Sequence, residues 1–434
     1  MCEGDLKNKI QFMIFSLLLF WFTSFREPII SDGYVNHLSV YPGDSLTIFL
    51  NAYKKQEDYS VRIYNLKGNA IAKYVATVFP QEKNLQEPWK NGFGYKSTLK
   101  IKVPNLKSGV YLIDNQIPLI IKARHPKIII VYSSNTENAY CNAGGKSLYS
   151  YNSSDRKAAT VVSFLRPINL PKHSEAFLRW FYKLGIADVG YVTDHDLDDY
   201  KAIANSKLLM IVGHSEYWSL QARKNFDLFV NEGNDALVLS GNTMWWQVRY
   251  EHKGTQLVCY KSESDDPETS LHLKTINWDN PILNYSIISS IGADFPRAGF
   301  GQKTDKGWDG YKIINPKSPL LKNIRARKGT IISLPTDEAD GAPLSNSSSA
   351  DFPQPDHKVL GFNKIEIVGY DSTFREKDGI ATWIVFKKNG KSGIVINTAS
   401  TDWCSQRGMN IPEIKKITLT MISLLLKKEN VFSE

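Results

Sequence analysis

Cysteine is scarce in this sequence, with four residues in a chain of 434. So few cysteines exclude the disulfide framework of a small secreted domain. Cys2 lies close to the amino terminus, and the spacing of Cys141, Cys259 and Cys404 matches no zinc-binding motif. Each of these three has an apolar or aromatic neighbour, so we expect buried and unreactive thiols.

Concentrated positive charge is also missing, although the formal net charge is +9. Lysine and arginine are scattered, and their densest clusters, 322–328 and 387–391, are short and loop-like. Proteins that bind nucleic acids gather their charge on one face or one helix. We therefore predict no nucleic acid partner.

Two common catalytic patterns are absent as well. A nucleophile elbow places a serine or cysteine between glycines at a strand-to-helix turn, but the turn at Gly241-Asn242 contains neither. The stretch "NAGGKSLY" lacks the first glycine of a phosphate-binding P-loop. The sequence argues against a Ser-His-Asp or Cys-His-Glu triad and against a P-loop nucleotide site.

A long apolar run is present near the amino terminus, over 10–25, after Lys7 and Lys9 and before Arg26. Sixteen residues are short for a membrane span of about 20, but they suit a signal-peptide core of about 7–15. No cleavage site of small residues follows, so an uncleaved membrane anchor is the alternative. We predict a leader over 1–30 and a chain that is exported (periplasmic or secreted) or membrane-anchored.

Residues 34–124 are strand-like. The segment "HLSVYPGDSLTIFLNAY" alternates apolar and polar residues on both sides of a turn at Pro42-Gly43-Asp44. Similar short runs follow, with no helical period. This pattern predicts a β-sandwich of about seven strands, and no residue in it indicates catalysis.

The pattern changes after His125-Pro126, where "KIIIVYSS" is a continuous apolar run typical of a strand buried on both faces. The predicted strands that follow are "DVGYVTD", "KLLMIVGH", "DALVLSG", "HKVLGF", "GIATWIVFKKN" and "SGIVINTAS". The predicted helices are "HSEAFLRWFYKLG", "DDYKAIAN", "SLQARKNFDLFVNEG" and "IPEIKKITLTMISLLLKK". The alternation predicts an α/β fold in which the β-sandwich precedes a doubly wound, mostly parallel α/β domain over 126–430.

Three predicted parallel strands end in polar and aromatic residues. Ligands of open α/β sheets bind beyond the carboxyl ends of the strands, so these side chains should share one rim. The catalytic candidates are His214, Glu216 and His195, and the substrate-binding candidates are Asn242, Trp218, Trp245 and Trp246. Helix capping accounts for Asp194 and Ser215 but not for the run His-Ser-Glu-Tyr-Trp, and the tryptophans would fit a core equally well.

Oxygen donors at this rim favour a hard metal ion over zinc. His214 and His195, with their neighbouring carboxylates, lack the helical spacing of zinc motifs. Phenolate and carboxylate oxygens suit an ion such as Fe(III), and tyrosine becomes a ligand when the ion displaces its proton. Candidate donors are Tyr217, Tyr260 and Glu338, which spacing alone does not connect.

The order and wording of many segments resemble the large (beta) subunit of N,N-dimethylformamidase and the family built around its carboxy-terminal domain. The matching segments run from Ser39 to Trp403 and are "SVYPGDSLTI", "VPNLKSGVYLI", "NTENAYCNAGGKSLY", "VSFLRP", "VTDHDLD", "VGHSEYWS", "LSGNTMWWQVRYE", "VCYKSESDDP" and "STDW". The resemblance implies a β-sandwich followed by a domain similar to glutamine amidotransferases without their cysteine nucleophile.

The resemblance also implies a mononuclear Fe(III) held by two tyrosines and one glutamate. The tyrosine of "HSEYW" is Tyr217, the second falls on Tyr260 with Tyr250 as the alternative, and the glutamate falls on Glu338. Thr336 stands where the family's pattern predicts a polar neighbour, such as histidine, two residues before the glutamate.

Two functions are therefore carried forward, beside a third interpretation of the chain as a degenerate enzyme that serves as a structural or assembly module. The first is an iron-dependent hydrolase of a small amide or another C–N bond, in which the metal polarises the carbonyl and Glu216, His214 or His195 is the general base. The second is a non-catalytic exported protein that holds a ligand such as a glycan on its aromatic rim. The sequence leaves open whether the chain forms a homo-oligomer or joins a small partner subunit, as in the resembled enzyme.

Overall fold

The computed structural model describes residues 29–301, 307–348 and 352–433. Apart from its last two positions, the predicted leader lies outside the described residues. Within the described ranges, no helix combines the length and the apolar character that a membrane crossing needs.

Residues 29–121 contain two sheets that share one core. The strands are β1 Ile30–Val35, β2 Ser39–Val40, β3 Ser45–Ala52, β4 Gln56–Asn65, β5 Ala70–Val78, β6 Leu99–Lys102, β7 Gly109–Ile113 and β8 Ile117–Ile121. One sheet has the order β1-β3-β6 and the other β2-β8-β7-β4-β5. Every second residue of β3 is buried, so Leu46, Ile48 and Leu50 reach the core that they share with Val61 and Ile63 of β4. Period-two alternation thus produces two packed layers.

The rest of the chain contains a large mixed sheet and a small one. The strands are β9 Ile128–Tyr132, β10 Val161–Ser163, β11 Val189–Thr193, β12 Leu208–His214, β13 Tyr217–Ser219, β14 Asp235–Gly241, β15 Trp246–Glu251, β16 Gln256–Val258, β17 Asp294–Phe300, β18 Gly310–Ile313, β19 Ile331–Ser333, β20 Glu338–Gly341, β21 Lys364–Arg375, β22 Lys377–Lys387 and β23 Ile394–Asn397. The large sheet has the order β11-β9-β12-β14-β23-β22-β21-β17-β20, and β18 joins β19 to β21.

The large sheet is parallel in one half. The strands β11, β9, β12, β14 and β23 pair in parallel, whereas β23, β22, β21, β17 and β20 pair antiparallel. The prediction of a mixed α/β architecture is confirmed, but the prediction of a mostly parallel sheet is wrong for the second half. The cause is the hairpin of β21 and β22, which turns at Glu376 and continues the sheet without a crossover helix.

Helices cover both faces of the parallel half. The α-helices of the described ranges are α1 Pro88–Asn91, α2 Ser134–Tyr140, α3 Glu175–Leu184, α4 Leu220–Asn231, α5 Ile288–Ile291, α6 His357–Leu360, α7 Gln406–Met409 and α8 Pro412–Leu426, of which α1 lies between β5 and β6 and not on this sheet. In β9, Ile130 belongs to the core that contains Phe177 of α3 and Ile417 of α8, whereas Ile129 belongs to the core that contains Phe226 of α4. A strand buried on both faces needs the continuous apolar run seen in the sequence.

The small sheet, with the order β10-β16-β15-β13, lies beside the carboxyl end of β12. β12 ends at His214 and β13 begins at Tyr217, so only two residues connect the large sheet to the small one at this point. The Tyr217 ring packs against Val162, Val248 and Leu257 of this sheet.

Two local predictions are wrong. The segment "HKVLGF", predicted as a strand, forms α6, because the Asp356 carboxylate accepts hydrogen bonds from the main-chain N–H groups of Lys358 and Val359 and caps a helical turn. The segment "DDYKAIAN", predicted as a helix, contains the short 3-10 turn Tyr200–Ala202, with Asp199 as its cap.

Candidate functional site

The parallel strands define where a ligand should bind. The parallel strands lie side by side in the order β11-β9-β12-β14-β23. When they are numbered by their place in the chain, this order is 2-1-3-4-5. The order reverses between β9 and β12, and doubly wound sheets bind ligands at such a point, beyond the carboxyl ends of the strands. α2 follows β9 and ends at Tyr140, and β12 ends at His214 and leads to Glu216. Polar residues from both strand ends therefore meet here.

Two glycines allow close approach of the chain at this edge. A Cβ atom on Gly213, where φ is +82°, would lie 2.8 Å from the Cβ of Ser174. A Cβ atom on Gly241 would lie 2.5 Å from the main-chain oxygen of Glu338. Glycine thus permits the start of β20, which carries Glu338, to contact the end of β14.

At the switch point, two phenols bond to one carboxylate and a third phenol bonds to one of these two. We name Tyr140, Tyr149, Tyr217 and Glu216 the tyrosine–glutamate cluster. The Tyr140 hydroxyl lies 2.9 Å from Oε2 of Glu216, and the Tyr149 hydroxyl lies 2.9 Å from Oε1. The Tyr217 hydroxyl donates to the Tyr149 hydroxyl over 2.8 Å. Four oxygen-bearing side chains, distant in sequence, therefore meet within hydrogen-bond distance.

Burial sets the protonation of this cluster. Burial raises the pKa of the three phenols well above the ordinary value for tyrosine, and the charge of Glu216 raises it further. Burial likewise raises the pKa of Glu216 itself. The phenols consequently keep their protons at neutral pH unless a cation displaces them.

His214 links the cluster to Glu338. Its Nε2 lies 3.3 Å from Oε2 of Glu338 and 3.5 Å from Oε2 of Glu216, at ion-pair distance but without a hydrogen bond among the described residues. Burial lowers the pKa of His214, but the two carboxylates outweigh it and raise the pKa to about 9. The Asn242 amide donates to the same Oε2 of Glu338 over 2.8 Å, which fixes this carboxylate.

A lysine cation covers the cluster. The Lys261 ammonium lies 3.5 Å from the centre of the Tyr149 ring, 5.3 Å from that of Tyr217 and 5.0 Å from that of Trp246. It donates a hydrogen bond to the main-chain oxygen of Leu148 over 3.0 Å. Burial lowers its pKa. The aromatic faces partly replace the water that this cation has lost.

The predicted tyrosines have different hydrogen-bond partners. Tyr217 belongs to the cluster, whereas the phenol of half-buried Tyr260 makes no hydrogen bond or ring contact with Tyr217 or Glu338 in the described ranges. The alternative, Tyr250, bonds through its hydroxyl to Asn135, 2.7 Å away. The hydroxyl of Thr336 bonds to Ser400, 2.7 Å away, and does not enter the cluster.

The other predicted residues divide between the site and the core. The His195 ring packs on that of Tyr250 at a centroid distance of 4.1 Å, with the two planes tilted by 51°. Trp218 is 1% exposed, packs in the core beside α4, and donates to the main-chain oxygen of Ser215 over 3.0 Å. Trp245 is 9% exposed and belongs to the same core, while Trp246 borders Lys261.

A second group of potential metal ligands lies beside His214. His173, Asp337 and Asp402 each offer a ligand atom, and these atoms lie within 4.8 Å of one another. The His173 ring stands 5.5 Å from the His214 ring. The Arg407 guanidinium lies 3.5 Å from the Asp337 carboxylate and balances part of the negative charge of this group.

Sequence reasoning missed Tyr140, Tyr149 and Lys261. Both tyrosines lie in the segment "NTENAYCNAGGKSLY", where the density of tyrosine and asparagine so close to a strand end was the available signal. Arg166 organises this segment, since its buried guanidinium donates to the main-chain oxygens of Asn138 and Lys146. Nothing in the spacing of these residues reveals that contact.

The fold and the cluster define an α/β protein with a buried phenol and carboxylate site at its switch point. The sequence model of the family described as "N,N-dimethylformamidase beta subunit-like, C-terminal" matches residues 59–411. The chain belongs to this family, which confirms the resemblance found in its segments. No curated protein matches the chain.

Among solved structures, a ThuA-like protein from Bacteroides uniformis is similar to this chain. The sequence identity is 11% and the TM-score is 0.35, over 72% of this chain and 96% of that one. Similarity at this level carries no argument about fold or function.

Proposed function

We propose that this protein is a metal-dependent hydrolase of the C–N bond of a small amide, with Fe(III) as the metal. The tyrosine–glutamate cluster supports this proposal most directly, because it gathers oxygen donors at the switch point of the sheet. The name of the family points to the same reaction class. A likeness of the α/β domain to glutamine amidotransferases, export of the chain and a small partner subunit are further parts of the proposal.

The donor chemistry fits the proposed ion. Phenolate and carboxylate are hard ligands that suit Fe(III). The hydroxyls of Tyr217 and Tyr149 lie 2.8 Å apart, and the Glu338 carboxylate lies 3.3 Å from Nε2 of His214 at the same site. Tyr217 and Glu338 are retained from the sequence-based ligand set, and Tyr149 competes with Tyr260 for the place of the second phenol. When bound, Fe(III) would polarise the amide carbonyl and lower the pKa of a water molecule.

The residues of the chain have separate parts in this proposal. His214 and Glu216 are the candidates for the general base, because both lie in the site whereas His195 does not. Asn242 holds Glu338 in place through its amide. Lys261 and Trp246 form a wall that keeps bulk water from the phenols.

The alternative, a glycan-binding protein without catalysis, needs an exposed aromatic platform. Trp218 and Trp245 are buried in the core, so they offer no such surface. The hydrolase is therefore the function we put forward.

Metal analysis of the purified full chain tests the proposal. We expect about one equivalent of iron per chain and a visible phenolate charge-transfer band. Tyr217→Phe should abolish the band, whereas Tyr132→Phe should keep it, because the buried Tyr132 hydroxyl lies in the core and has no partner in the described part of the chain. Separate Tyr149→Phe and Tyr260→Phe variants identify the second phenol. Folded protein that holds no metal, even after loading with Fe(III), would refute the proposal.

A further inference from the structure

A second polar cleft lies one strand away from the tyrosine–glutamate cluster. It has a volume of about 260 Å³ and opens between the segment 36–39 of the first two-sheet region and the carboxyl ends of β9 and β11. Its walls include His37, Lys122, His195 and Lys253. Clefts between layers of a fold are common ligand sites.

The single carboxylate that lines this cleft is already neutralised. Oδ1 of Asp196 accepts a hydrogen bond from the Lys122 ammonium over 2.7 Å, and Oδ2 accepts bonds from the main-chain N–H and the hydroxyl of Thr193, both over 2.8 Å. Lys122 also lies over the Tyr41 ring, at 4.6 Å. The floor of the cleft therefore carries no free negative charge.

Three potential donors at the mouth have no such partner. His37, His195 and Lys253 are exposed, and no carboxylate is at ion-pair distance from them in the described ranges. Asp198, three residues after His195, accepts a hydrogen bond from the Ser219 hydroxyl. The mouth of the cleft thus combines one lysine cation with two imidazoles.

The placement of His195 and Lys253 is built into the backbone. His195 packs between the Tyr250 ring, 4.1 Å away, and Gly254, where a Cβ atom would lie 2.4 Å from the imidazole Cε1. His252 and Lys253 both have left-handed backbones, with φ of 48° and 59°. Two successive non-glycine residues in this region are costly, and here they turn the 252–254 loop along the cleft.

We propose that this cleft binds a small oxyanion, either a phosphate or a carboxylate group, between His37, His195 and Lys253. Imidazole N–H groups and an ammonium match the acceptor oxygens of such a group. The site is separate from the proposed hydrolytic centre: Tyr250 stands between them, bonded to Asn135, which in turn donates to the main-chain oxygen of Tyr217. The inference goes beyond the proposed function and needs neither metal nor substrate.

Anion titration of the full chain, without added metal, tests this assignment. Sodium phosphate and sodium acetate are added separately at constant ionic strength, and the imidazole C–H resonances of His37 and His195 are followed by NMR. We expect saturable shifts with a Kd of about 1 mM. Saturation by phosphate alone assigns a phosphate-bearing ligand, saturation by acetate alone assigns a carboxylate-bearing one, and either supports the site.

Matched variants decide whether the cleft is responsible. Lys253→Met combined with His195→Gln should weaken binding by at least about tenfold, since a lost charged hydrogen bond contributes about 1.5–3 kcal/mol. His357→Gln combined with Lys358→Met, which alters an exposed pair elsewhere, should leave binding unchanged. Tyr217→Phe should also leave it unchanged, which separates this site from the metal site. Absence of saturation with both anions, unchanged binding in the cleft variant, or equal loss in the control would overturn the proposal.

Discussion

Asp194 makes the stability of this protein depend on pH. The residue follows β11 and is 2% exposed. Its Oδ2 accepts a hydrogen bond from the main-chain N–H of Asn135 over 2.8 Å, while Oδ1 has no hydrogen-bond partner among the described residues. Burial raises the pKa of this carboxyl to about 7, although the hydrogen bonds from Asn135 and Ser134 oppose the shift.

The sign and size of the effect follow from linkage. The folded pKa lies above the unfolded value of 3.8, so the folded state holds its proton more tightly. The contribution of Asp194 to the free energy of unfolding is therefore largest below about pH 4 and falls as the pH rises toward 7, by about 1.4 kcal/mol per unit. The full loss is about 4 kcal/mol. Asp194→Asn, which carries no titratable proton, should remove this loss.

Urea unfolding at pH 5, 6, 7 and 8 measures the effect. The stability of Asp194→Asn relative to the original protein should increase steadily across this series and level off above pH 7. Asp265→Asn, which alters an exposed carboxylate, should show no such trend. A difference between Asp194→Asn and the original protein that stays constant from pH 5 to 8 would refute the reasoning.

Two further predictions concern the scaffold of the site. Arg166→Met should destabilise the protein by about 3–5 kcal/mol and lower its iron content, because six hydrogen bonds from a buried guanidinium to five oxygen atoms are lost. Urea unfolding and metal analysis check this, with Arg156→Met as the exposed control. Gly241→Ala should cost about 1–3 kcal/mol, since its Cβ would lie 2.6 Å from the Thr401 nitrogen. Gly390→Ala, with open space around its Cβ, should have no effect in the same assay.

The strands of the parallel half were readable from the sequence. The runs "KIIIVYSS", "KLLMIVGH" and "DALVLSG" became β9, β12 and β14, because strands with helices on both faces need apolar residues on both. The helices α3, α4 and α8 also appeared within two residues of the predicted ends. In the other half, "GIATWIVFKKN" and "SGIVINTAS" were also predicted as strands and form β22 and β23, but their antiparallel pairing was missed. Nothing local shows which side of the sheet a hairpin will join.

The site was predictable in part. His214, Glu216 and Tyr217 follow one strand, so one apolar run located all three. Glu338 lies near these residues because the start of β20 packs closely against Gly241 at the end of β14. Tyr140 and Tyr149 reach them through a loop that a buried arginine organises. These contacts join distant segments, and no spacing in the sequence encodes them.

The sequence by itself determined which segments are buried strands, where those strands end, and which family the chain resembles. Local hydrophobic periodicity suffices for the first two because it reflects the faces that each segment must bury. Only the tertiary structure decided which phenols meet Glu216, that the His195 ring packs on Tyr250, and that His195 borders a cleft of its own. The reason is physical: side-chain contacts across a sheet edge depend on how whole layers pack, and that packing is a property of the folded chain rather than of any one segment.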